Sequence, residues 1–117
     1  MKKGMNIWSF KAGMTIAECI AMAKDAGFDG IELSLDEEGE LSLNSTEKDV
    51  LKIKEMAENE GIEIASLASG LYWSYPATSS DPAIRQKSKD IVRKQLEVAA
   101  LLGTNGILVV PGVVAGL

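Results

Sequence analysis

Carboxylates are the most numerous groups in this chain that could do chemistry. Its 117 residues carry 17 acidic and 12 basic side chains, one cysteine and no histidine. Without histidine, this chain by itself has no Ser-His-Asp or Cys-His catalysis, no His-containing metal site and no imidazole acid/base. Among the carboxylates, Glu32 has the most telling setting. In Ile31-Glu32-Leu33-Ser34-Leu35, Glu32 and Ser34 alternate with apolar residues. A parallel strand is usually covered on both faces, so an ionised carboxylate there needs partners. Either Glu32 and Ser34 face a polar site, near a ligand or the groups that hold it, or Glu32 is structural and paired with a lysine or backbone amides. The second concentration is aromatic. Ser69-Gly70-Leu71-Tyr72-Trp73-Ser74-Tyr75-Pro76 holds three rings in a chain only 5% aromatic. Loops this long are more often functional than not, and rings offer faces for stacking. The alternatives are an aromatic lid or a subunit contact, and Trp73 is the first choice as a binding residue.

The remaining reactive types read more plainly. Lys11 follows the first strand, where it either meets a phosphate or is simply solvated. Glu37, Glu38 and Glu40 surround Gly39 and read as a solvated acidic turn. Glu63 opens the third strand and reads as surface, Cys19 as a small packed residue, and the five methionines as gap-filling core.

The elements that must position these groups follow one cadence. A helical segment ends at glycine and an Ile-bearing strand follows, at Gly27…Ile31, Gly61-Ile62 and Gly103…Ile107. Strands are expected over Met5–Ser9, Gly30–Leu35, Ile62–Ala68 and Gly106–Val110. Helices are expected over Ile16–Ala26, with a Thr15/Glu18 capping box, and over Glu47–Asn59, with Val50, Ile53 and Ala57 inward. The third helix is capped by Asp81, starts on Pro82 and carries an Ile84, Ile91, Val98, Leu102 stripe beside Val92, Leu96 and Ala99. The pattern is β-α-β-α-β-α-β in one domain, residues 1–117, with Ser69–Ser80 the only long connection.

Composition narrows the function classes. The net charge of −5 leaves no electrostatic footprint for nucleic acid or an anionic membrane surface. Lys2 and Lys3 precede a stretch too short and polar for a signal peptide, and the apolar run Gly106–Leu117 is broken by Pro111 and cannot span a bilayer. A lone cysteine agrees with a reducing, cytoplasmic setting. Soluble domains usually end in polar residues, so this apolar run leads us to expect that the chain stops inside a larger fold.

Two architectures suit the pattern. A doubly wound flavin- or nucleotide-binding domain would carry a glycine-rich first turn, but Ser9-Phe10-Lys11-Ala12-Gly13-Met14-Thr15 has one glycine and no phosphate-binding pattern. A (βα)8 barrel places its chemistry at the carboxy ends of its strands and needs about 250 residues, of which this chain would supply the N-terminal half. A third reading is a complete small α/β module that binds a ligand or partner without catalysis.

Four segments occur in an order that resembles a known family: Gly27-Phe28-Asp29-Gly30-Ile31-Glu32-Leu33-Ser34-Leu35-Asp36-Glu37, Asp81-Pro82-Ala83-Ile84-Arg85, Ala99-Ala100-Leu101-Leu102-Gly103-Thr104 and Val109-Val110-Pro111-Gly112. Together they are similar to the N-terminal half of xylose isomerase-like TIM barrels, nearest the sugar phosphate isomerases/epimerases of the L-xylulose 5-phosphate and D-tagatose 3-epimerase kind. The resemblance implies four parallel strands with three helices and a sugar or sugar-phosphate substrate. It also implies a divalent metal (Mn2+, Mg2+, Co2+ or Zn2+) held in the full-length family by two glutamates, an aspartate and a histidine on later strands. There the metal polarises a carbonyl while the glutamates move the neighbouring proton. None of those positions lies in this chain, so no catalytic or metal residue is expected here, no bound metal, and no isomerase activity of the chain alone. The substrate-binding side would remain, with Trp8, Glu32 and Trp73 as its candidates. Trp8 falls where the family commonly sets an aromatic against the sugar, its alternative being a core or helix-packing role. Open strand edges further imply a homo-oligomer.

Overall fold

The computed structural model describes residues 1–112. Three short parallel strands, β1 (Gly4–Asn6), β2 (Gly30–Ser34) and β3 (Glu63–Ala68), pair in chain order β1-β2-β3. The helices that return the chain are α1 (Ile16–Asp25), α2 (Glu47–Glu60) and α3 (Pro82–Leu102). Helix starts follow the expected chemistry. Thr15 and Glu18 close a reciprocal capping box on α1, and Thr46 and Asp49 close another on α2. Asp81 accepts from the Ala83 amide at 2.9 Å to start α3. The α3 helix ends at Gly103, whose φ of 79° lies in the left-handed region that favours glycine.

The apolar faces of all three helices pack on one side of the sheet. Ile20 and Ala23 of α1, Val50, Ile53 and Ala57 of α2, and Val98, Ala99 and Leu102 of α3 meet Ile31, Leu33, Ile64 and Leu67 in one buried cluster. In α2 the three buried residues are those expected from the helical period. In α3 the outcome differs. Ser88 and Gln95 are buried with Ile91 and Val98, whereas Leu96 is 52% exposed. The helix turns a face centred on 88/91/95/98 inward, and Gln95 is compensated there by hydrogen bonds to Tyr72, Leu67 and Leu108. Among the described residues, no helix is long and apolar enough to cross a membrane.

Two expected strands are shortened. After Asn6 the chain enters a 3-10 turn, Ile7–Ser9, because the Asn6 side chain accepts from the Trp8 amide at 2.7 Å and bends the backbone. The expected fourth strand, Gly106–Val110, is a single parallel bridge between Leu67 and Ile107, so among the described residues three strands are present and not four. Its rungs are Leu67 N to Gly106 O and Leu108 N to Leu67 O, both 3.0 Å. The next rung of a parallel ladder would use the Leu108 carbonyl, and the side chain of Gln95 occupies it at 3.0 Å. That one bridge still decides the topology. It sets the fourth segment beside β3, whereas a classic Rossmann order would set it beside β1, and the flavodoxin order would separate β2 from β3. The doubly wound expectation is thereby overturned in favour of a sequentially ordered, partial βα barrel.

Candidate functional site

Parallel strands deliver all their following loops to one end of the sheet, so Trp8, Asp36 and the Ser69–Trp73 segment share the carboxy end by construction. On the sheet face turned away from the helices, register aligns Asn6 with Glu32 and Glu32 with Ser66. An irregularity between Ile31 and Glu32 decides the last pairing, since it brings Ser66 rather than Ala65 opposite the carboxylate. Asn6 Nδ2 donates to Glu32 Oε1 at 2.5 Å, and Ser66 Oγ donates to Glu32 Oε2 at 2.5 Å. Glu32 is half-buried, and none of the ion pairs among the described residues includes it. Its partners are therefore neutral side chains on the two neighbouring strands, neither a lysine nor backbone amides. Each carboxylate oxygen keeps a further lone pair able to accept from a ligand hydroxyl. The sequence reading missed Asn6 and Ser66, although each interrupts an apolar stretch of its strand and could have been found by aligning the strands in register.

Trp8 is 55% exposed, so it is not a core tryptophan. Its ring reaches across the sheet end, where a β-carbon at Gly70 would stand 3.9 Å from Trp8 Cζ2. Trp8 also lines a cleft of about 160 Å3 together with Ser34, Asp36, Glu40 and apolar residues including Met14 and Leu41. Ser34 donates to Asp36 at 3.0 Å. Partial burial pushes the Asp36 carboxyl upward, and the Ser34 hydrogen bond opposes that shift. The acidic turn is more than solvated surface. Glu40 accepts from the Ile16 amide at 2.7 Å, adding an anion at the positive end of α1, and Glu37 accepts from the Tyr75 hydroxyl at 3.0 Å. That hydrogen bond and the Glu37 charge raise the Tyr75 pKa.

The aromatic loop divides into anchors and one presented ring. Leu71–Trp73 forms a 3-10 turn in which Tyr72 is 1% exposed and Trp73 is 60% exposed. Tyr72 points inward and donates to Gln95 Oε1 at 2.5 Å, and burial pushes its phenol up to about 12. Only Trp73 offers most of its ring outward. Lys11 and Glu63 are exposed, and Glu63 pairs with Lys2 at 3.1 Å. Cys19 is buried and its thiol pKa is raised, first by burial and then by Glu18 and Glu40, which disfavours the thiolate and agrees with a packing role.

A parallel sheet in sequential order, helices on one face and a polar row on the other define a segment of a βα barrel with its binding loops at the carboxy end. The sequence matches the family model of the xylose isomerase-like TIM barrel over residues 20–117. The chain belongs to that family. It is 34% identical over 96 residues to a putative L-ribulose-5-phosphate 3-epimerase of Haemophilus influenzae, covering 80% of this chain and 34% of that protein. It is 31% identical over 94 residues to the L-ribulose-5-phosphate 3-epimerase of Escherichia coli K12, covering 79% and 33%. Two solved structures share its fold. A D-psicose 3-epimerase determined in the presence of D-fructose superposes with a TM-score of 0.73 at 22% identity, over 92% of this chain and 36% of that one. The Clostridium cellulolyticum D-psicose 3-epimerase with D-tagatose gives 0.74 at 21% identity over the same shares. The chain thus spans about a third of the length of the relatives it matches.

Proposed function

We propose that this chain forms the substrate-binding side of a metal-dependent sugar-phosphate epimerase or isomerase, with a ketopentose 5-phosphate as ligand. The observation that carries this reading is the Asn6–Glu32–Ser66 row on the helix-free face, at the end of which Trp8 stands exposed. An anionic acceptor held by neutral donors suits sugar hydroxyls, and an exposed indole suits the C–H face of a sugar ring or chain. Family membership and the names of the relatives support the substrate class. Trp73, on the loop after β3, would cover the ligand from the opposite side. Asp36 and Ser34 would add polar contacts beneath Trp8.

The described residues do not suit the family's divalent metal. No group of three or more His, Cys, Asp or Glu side chains converges among them, and the side chains that contact Glu32 are the neutral Asn6 and Ser66. The role proposed for this chain is therefore binding and orientation, with no proton transfer assigned to its residues, and the isolated 117-residue chain is inactive. Its β1 edge, paired only with β2 among the described residues, favours self-association, and a cytoplasmic setting fits the single reduced cysteine.

The test is a titration of the chain with L-ribulose 5-phosphate, followed by tryptophan fluorescence, beside an epimerisation assay with added Mn2+. Saturable quenching that is reduced in Trp73→Ala and again in Trp8→Phe, with no turnover, is the expected result. No binding at millimolar ligand would overturn the binding role, and turnover above background would overturn the inactivity. Light scattering that shows only monomer at high concentration would refute self-association.

A further inference from the structure

Gln95 is fully buried in the middle of α3, between Ile91 and Val98 on the inward face that also carries the buried Ser88. Its amide joins three separate segments. Nε2 donates to the Leu67 carbonyl in β3 at 2.8 Å and to the Leu108 carbonyl of the bridged segment at 3.0 Å. Its Oε1 accepts from the hydroxyl of Tyr72, the residue before Trp73, at 2.5 Å. Only one orientation of the amide satisfies all three, since the opposite one would set Oε1 against two carbonyls that can only accept. Among the described residues, no buried polar side-chain atom lacks a partner, so the network is complete.

We infer that Gln95 is a positioning residue that fixes the Trp73-bearing loop against the carboxy ends of β3 and the bridged segment. The inference rests on the proposed ligand role of Trp73 and deepens it. Packing alone would hold Tyr72, but apolar contacts with Leu71 and Ile91 are non-directional, whereas the hydroxyl and amide admit one geometry. The turn Leu71–Trp73 is short, so locking the Tyr72 ring inward forces the Trp73 ring outward. An apolar pair of similar volume in place of Tyr72 and Gln95 would fill the same space without specifying the direction of the next side chain.

The experiment uses the full chain carrying Trp8→Phe, so that Trp73 is its sole tryptophan. Fluorescence anisotropy and near-ultraviolet circular dichroism of Trp73 are compared in Gln95→Leu, Tyr72→Phe and a control, Val98→Ala, which opens a small cavity in the other core cluster packed by the same helix. Loss of Trp73 anisotropy and of its near-ultraviolet band in both network variants, with far-ultraviolet spectra and the control's Trp73 signal retained, is the expected result. Tyr72→Phe alone carries the test if Gln95→Leu does not fold. Unchanged Trp73 signals in Tyr72→Phe, or an equal loss in Val98→Ala, would overturn the inference. With L-ribulose 5-phosphate added to chains that retain Trp8, Tyr72→Phe should bind about tenfold more weakly than the unsubstituted chain, the factor produced by roughly 1.4 kcal/mol of lost loop order. Absence of binding in the unsubstituted chain refutes the ligand role of Trp73, while the ligand-free signals still decide the role of Gln95.

Discussion

Removing the Glu32 carboxylate tests the polar row most directly, because its two oxygens are each committed to one donor. Glu32→Gln keeps the shape. Its amide oxygen can still accept from Asn6 Nδ2, and its NH2 can donate to Ser66 Oγ, which rotates to accept. Hydrogen bonds to a charged group contribute about 1.5–3 kcal/mol each against about 0.5–1.5 for neutral ones, so this exchange costs roughly 2 kcal/mol over both bonds. Glu32→Ala instead leaves the Asn6 amide and Ser66 hydroxyl without partners. Each unsatisfied group costs about 1–3 kcal/mol when buried, and water recovers part of that at a half-buried row, giving roughly 2–4 kcal/mol. The alanine variant also frees Asn6, whose Oδ1 accepts from the Trp8 amide and sets the turn that exposes the indole. Urea unfolding followed by far-ultraviolet circular dichroism measures both. With slopes of about 1–3 kcal/mol/M, the glutamine variant should unfold about 1 M urea earlier and the alanine variant earlier still. An alanine variant as stable as the parent, or a glutamine variant less stable than the alanine one, would refute this account.

Three further outcomes follow from the core and caps. Tyr72 has its pKa raised from 10.0 to about 12 by burial, so its contribution is complete below pH 10 and disappears as pH rises through 12. Urea titrations across that window should show a loss of stability, on the order of 2 kcal/mol, that is absent from Tyr72→Phe. Gly103→Ala meets no close contact, but at φ 79° it should cost about 1–2 kcal/mol, read as an earlier urea midpoint. The buried Cys19 thiol should react with a thiol reagent many times more slowly in the native chain than in urea, and equal rates would contradict its burial.

Local chemistry was legible along the chain because its partners are near in sequence. Thr15 and Glu18, Asp81 and Pro82, and the Val50, Ile53, Ala57 stripe state their elements within one or two helical turns. The (βα) cadence and the ordered segments around Glu32 and Gly103 were sufficient for the barrel family. The candidate binding residues Trp8, Glu32 and Trp73 were visible as residue types, though what surrounds them was not.

Tertiary structure decided everything that depends on partners far apart in sequence. The neutral partners of Glu32 come from strands 26 and 34 residues away, and a one-residue register irregularity selects Ser66 over Ala65. Gln95 carried no signal in the sequence and is fully buried, with carbonyls from β3 and the Leu108 segment and the Tyr72 hydroxyl converging on it. The same convergence shortened the expected fourth strand to one bridge. Side-chain types and helical periods are local properties that sequence carries explicitly, whereas the satisfaction of a buried polar group depends on which distant donors and acceptors the folded chain brings within hydrogen-bonding distance.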